Sequence, residues 1–124
     1  MAVAGYPFNG VLTAPTLTFG TLEDIRDLQG DDRLKRLSVP AQASNAGGPV
    51  MDASGAVLGM LLPHAGASSQ ALLGDVHFSL DVALIASLLE ELGVAAAQTT
   101  AGPAISSVAL SRKAADVAVL VSCW

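Results

Sequence analysis

The sequence predicts a mainly β chain, an antiparallel barrel followed by a late helix, and three observations carry that prediction. Only 4% of residues are aromatic in a composition that is 52% hydrophobic, so the interior must be assembled from small and branched side chains that suit a pleated sheet. Two apolar runs, 49–52 and 56–62, flank Ala53-Ser54-Gly55, which is a hairpin signal. Clean helical spacing occurs at 81–92, where Val82, Ile85, Ala86 and Leu89 recur and Gly93 supplies the stop. At 124 residues the chain is one domain or less, with a single core.

Ala2-Val3-Ala4-Gly5 reads as the first strand, closed by a turn at Tyr6-Pro7-Phe8-Asn9-Gly10. Thr16, Leu17, Thr18 and Phe19 are good strand formers, and Pro15 demotes the stretch before them to an edge. Residues 16–26 are expected to form one long strand. After a turn at Gly30-Asp31-Asp32, residues 33–39 resume as a strand with Leu34 inward and the charges outward. A small-residue loop, 40–48, leads into the hairpin, and Val76-His77-Phe78-Ser79 forms a short strand before the helix. Residues 95–107, rich in Ala, Thr, Ser and Gly, read as a linker. Ser106 or Ser107 caps a short helix through Arg112 and Lys113, and the Val-rich run 117–123 reads as a final strand. The organisation expected is a barrel with its helix at 2–94, a linker at 95–107 and a helix-strand extension at 108–124.

Six Lys and Arg stand against 11 Asp and Glu, a net charge of −5, and no basic cluster is present to neutralise a phosphate backbone. Nucleic acid is therefore not an expected partner. No window approaches the roughly 18 apolar residues that a membrane span requires. Cys123, the single cysteine, excludes an internal disulfide and a multi-thiolate zinc site. It is either a plain buried thiol or one half of a bond to a partner segment. His64 and His77 have no carboxylate or thiolate at ligand spacing, so neither metal nor cofactor is expected. Glu23, Asp24, Asp27, Asp31 and Asp32, interleaved with or followed by Arg26, Arg33, Lys35 and Arg36, read as a solvated rim lacking the regular spacing of a calcium loop. Met1-Ala2-Val3-Ala4-Gly5 lacks the basic and long apolar segments of a secretory signal and opens directly on a strand. The expectation is that the chain is a piece of something longer.

Acyl transfer by serine needs a hydroxyl on a rigid tight loop, backbone N–H groups converging on the developing oxyanion, and a histidine held by a carboxylate. Ser44-Asn45-Ala46-Gly47-Gly48-Pro49-Val50-Met51-Asp52-Ala53-Ser54-Gly55-Ala56-Val57-Leu58-Gly59 resembles the G-N-S-G-G-P-[LV]-x-[DN]-x-x-G-x-[VL]-[VIL]-G stretch of trypsin-like serine peptidases, most of all the bacterial HtrA (Deg) type. Every specified position agrees except Ser44 and Ala46. Val3-Ala4-Gly5-Tyr6-Pro7 is similar to the G-[YF]-P that opens the second barrel of that family. Val76 to Ser79 with the helix ending Glu90-Glu91-Leu92-Gly93-Val94 resembles its substrate-pocket strand and C-terminal helix.

The resemblance implies a second β-barrel, with Ala46 where the nucleophile would be and the backbone of Ser44, Asn45 and Ala46 at the oxyanion hole. It implies Gly47, Gly48, Val76, His77 and Phe78 as groove candidates. The family's His and Asp belong to a first barrel, so it also implies a peptide or protein partner, a first barrel supplied by the same or another chain, and a periplasmic or secreted setting. Ser44 in place of glycine would strain a positive dihedral by about 1 kcal/mol or more. Ser44 and Ser54 are poor substitute nucleophiles, Ser54 being commonplace in a turn. His64 reads as a surface histidine, and His77 as either a relic of the groove or an ordinary strand residue. Three functions follow: an inactive homologue serving as a binding or scaffold module, a fragment or Ser-to-Ala variant of an active endopeptidase, or a structural subunit of an assembly.

Overall fold

A computed structural model describes residues 1–6, 14–24, 33–63, 76–100 and 102–121, the side chain of Ala43 excepted. Seven strands, β1 (Ala2–Gly5), β2 (Thr16–Phe19), β3 (Thr21–Asp24), β4 (Leu34–Ser38), β5 (Pro49–Met51), β6 (Val57–Leu61) and β7 (Val76–Asp81), are followed by helices α1 (Val82–Glu91) and α2 (Ser107–Val117). The strands form one antiparallel sheet in the order β2-β1-β5-β6-β7-β4-β3. Its two outer strands, β2 and β3, are consecutive in the chain and meet at Gly20, so the sheet curls into a nearly closed barrel.

That corner corrects the expectation of one strand over 16–26. The chain breaks at Gly20, and the two halves pair with different strands, β2 with β1 and β3 with β4. Residues 25 and 26 lie outside the described residues. The physical reason is a close approach: a Cβ on Gly20 would sit 2.3 Å from the carbonyl oxygen of Ser38, a spacing that only glycine permits. Gly20 N–H donates to the Met1 carbonyl at 3.0 Å, and the Met1 ammonium donates to the Gly20 carbonyl at 3.0 Å, which pins the corner to β1.

Strand alternation sorts the apolar side chains into two clusters. Val3, Leu37, Val50 and Leu61, from β1, β4, β5 and β6, join Val39 in the barrel interior. Ala2, Ala4 and Met51 point the other way and are covered by Leu110, Ala114 and Ala118. The hairpin between β5 and β6 forms as the sequence predicts. Its turn is organised by Asp52, whose Oδ1 accepts from Ser54 N–H at 2.8 Å, Ser54 Oγ at 2.6 Å and Ala56 N–H at 3.0 Å.

Helix α1 is capped by Asp81, whose carboxylate accepts from Ala83 N–H at 3.1 Å while also pairing with Lys35. It ends at Gly93, where Gly93 N–H to Glu90 O and Val94 N–H to Leu89 O form a paired C-terminal stop. The helix lies on β6 and β7 but buries none of its side chains fully.

The end of the chain departs from expectation. Helix α2, capped by Ser106 Oγ accepting from Ala109 N–H at 3.2 Å, runs to Val117, beyond the predicted stop at Lys113. Residues 118–121 join no ladder among the described residues, so the predicted strand is not formed there. Leu110, Ala114 and Ala118 recur every four residues and are buried on the outer face of the sheet. Burial of that stripe outweighs the strand preference of the valines. Part of the expected linker is also held: Ile105 N–H donates to Ala53 O at 2.9 Å, and Ile105 packs on the outer core. The predicted turn at 7–10 and the side chains of Arg26, Asp27, Asp31, Asp32, His64 and Cys123 lie outside the described residues.

Candidate functional site

Residues 44–49 form a clamped bend between the end of β1 and the end of β6. Ala43–Asn45 make one 3-10 turn, with Asn45 N–H donating to Gln42 O at 2.9 Å. Asn45 is buried, its Oδ1 accepts from Gln42 N–H at 3.3 Å, and its side chain lies against Gly5. On the other side, Gly47 N–H donates to Leu61 O at 2.7 Å and Leu61 N–H to Gly48 O at 2.9 Å. Gly47 has φ +85°, a left-handed conformation that glycine adopts without penalty. Gly48 passes so close to β1 that a Cβ would lie 1.9 Å from Ala4 O. The two glycines of the motif therefore have separate structural duties, one conformational and one steric.

The bend carries Ser44 exposed and Ala46 half-buried. With a methyl group at 46, the position offers no hydroxyl. The Asn45 N–H is already committed within the turn, so it is not a donor for a ligand. Beside the bend lies a cleft of about 360 Å³, bounded by Gly5, Tyr6, residues 44–49 and residues 117–121. Among the described residues, no charged side chain lines it. Gly47 and Gly48 are among its lining residues.

Val76, His77 and Phe78 are placed elsewhere. They lie on β7, and none of them lines the cleft. The intervening element is the end of β6, whose Leu61 accepts from the bend while Leu62 N–H donates to Phe78 O at 2.9 Å. His77 is 4% exposed, opposite Leu37, and with Ser79 it forms the buried phase of the strand while Val76 and Phe78 are half-buried. Among the described residues, no imidazole or carboxylate borders the cleft, and no group of His, Cys, Asp and Glu is arranged to hold a metal ion. What sequence reasoning missed is the far wall: Tyr6, whose hydroxyl donates to Ala118 O at 3.5 Å, and the tail 118–121. Its signal was the Val-rich composition, which marked the segment as extended without showing what it faces.

No family model matches the chain. Among solved structures, it is similar to Rv3671c from M. tuberculosis, a serine-to-alanine mutant in an inactive form. The similarity has a TM-score of 0.50 and 25% identity, over 81% of this chain and 49% of that one. The fold is that of a trypsin-like barrel. The strand order, the near closure at Gly20 and the helix that follows β7 are the features of that barrel with its C-terminal helix. The chain is also 30% identical, over 129 residues, to the uncharacterized protein y4bJ of Sinorhizobium fredii, which takes in 99% of this chain. It spans about 20% of that relative's length and about half of the solved chain.

Proposed function

We propose that the chain is a catalytically inactive trypsin-like peptidase homologue, a peptide- or protein-binding scaffold module of HtrA-like ancestry. The observation that carries this reading is the bend at 44–49. Gly47 is left-handed and Gly48 is packed on β1, as a tight glycine bend requires, while the side chain at 46 ends in a methyl group. Loss of one member of a nucleophile-base-carboxylate unit removes several orders of magnitude in rate. The cleft beside the bend remains, uncharged and of a size for a short segment of chain. A periplasmic or secreted setting accompanies this ancestry.

The test is restoration of the hydroxyl. Ala46→Ser in the chain and in any longer natural protein that contains it should leave both inert to a fluorophosphonate probe, because Ser44 is a second departure in the same bend. Covalent labelling at position 46 would overturn the inactive reading and favour an active peptidase in which alanine replaces serine.

A specific observation favours a protein partner as well. Leu88, on α1, is 49% exposed and Leu92, at its C-cap, is 78% exposed, apolar side chains in the position where a partner would cover them. A first β-barrel, from the same or another chain, is the partner that the trypsin-like reading calls for.

A further inference from the structure

Residues 118–121 form one wall of the cleft, facing the bend at 44–49. Their composition is that of a strand, Ala-Val-Leu-Val, and Ala118 is in an extended conformation at φ −88°, ψ 138°. Yet the segment pairs in no ladder among the described residues. Val119 is 77% exposed and Val121 80% exposed. Its anchoring is at one end, where Ala118 is buried in the outer core and its carbonyl receives the Tyr6 hydroxyl at 3.5 Å. An apolar segment that joins no ladder is the usual template for addition of another strand.

We infer that 118–121 is a strap that completes the binding cleft, pairing edge to edge with an extended, uncharged, aliphatic peptide held between it and the bend. This rests on the peptide-binding reading above and names its second wall and its ligand class. Two features point to that ligand. Among the described residues, the walls carry no charged side chain, so a charged peptide would be desolvated against them without compensation. The opening of about 360 Å³ takes two or three small aliphatic residues and not a folded domain. The strap supplies main-chain pairing and the bend supplies a rigid opposite wall, held by Gly47 N–H to Leu61 O and Leu61 N–H to Gly48 O.

The experiment is fluorescence polarisation with a labelled, end-blocked Val-Thr-Val-Thr-Val peptide on the 124-residue chain, on a form ending at Ala118, and on Leu120→Pro. Ending at Ala118 keeps the buried stripe Leu110, Ala114, Ala118 intact, and circular dichroism checks that the barrel persists. Leu120→Pro removes one N–H from the strap without shortening it. Both changes should weaken binding at least tenfold, and Leu120→Ala should weaken it no more than about threefold. Equal binding by all four forms would overturn the strap while leaving the cleft reading in place. Binding by none of them would overturn both. Tighter binding after truncation would also overturn the inference, since it would make the tail an obstruction and not a wall.

Discussion

At the scale of single residues, Asp52 shows how one side chain fixes local structure. Burial acts to raise its pKa, but hydrogen bonds from the Ser54 hydroxyl and from the amides of Ala56, Ser54 and Gly55 outweigh that and hold the carboxyl below its ordinary 3.8. A carboxylate lowered in the folded state contributes stability above its unfolded pKa and loses it as pH falls through the folded value. Thermal unfolding between about pH 2 and pH 6 should therefore show a midpoint that drops in acid. Asp52→Asn, which keeps the acceptor oxygen but does not titrate, should flatten that drop. An unchanged slope would mean that the turn does not report on Asp52. The motif glycines make a complementary point, because Gly47 is required by its dihedral and Gly48 by a neighbour's carbonyl.

Among the elements, α2 is the one whose removal should matter most. Leu110, at 4% exposure, is the largest side chain that the helix places in the outer core. Leu110→Ala should cost about 2–5 kcal/mol in urea unfolding. Val108→Ala, on the exposed side of the same helix, should change stability by no more than about 0.5 kcal/mol. Most strands were legible because one face of each is buried, so alternation and turn residues marked them. This holds for the hairpin of β5 and β6 and for β1. The break at Gly20 was not legible, since it answers to Ser38, a residue distant in sequence. The length of α2 and the fate of 118–121 were hidden for the same reason: a buried stripe against β1 and β5 outweighed local valine preference. In the site, the sequence located the glycine-rich bend at 44–49. Val76, His77 and Phe78, named with that bend from the resemblance, lie on β7, beyond the end of β6.

For the molecule as a whole, the apolar surface of α1 is the unfinished part. Leu88, on a helix with no fully buried side chain, and Leu92, at its C-cap, are exposed, and a trypsin-like barrel with these side chains bare should self-associate when isolated. Light scattering should show association that rises with concentration, and Leu88→Glu combined with Leu92→Glu should shift it towards monomer. A clean monomer at every concentration would count against a missing partner on that face. The covering of β1 by α2 has its own consequence in time. The outward side chains Ala2 and Ala4 leave the ribosome about a hundred residues ahead of their lid, Leu110 and Ala114. At translation rates of about 5–20 residues per second, the nascent barrel must wait on the order of 5–20 s with that face naked, a window in which chaperone capture or premature pairing competes with completion of the fold.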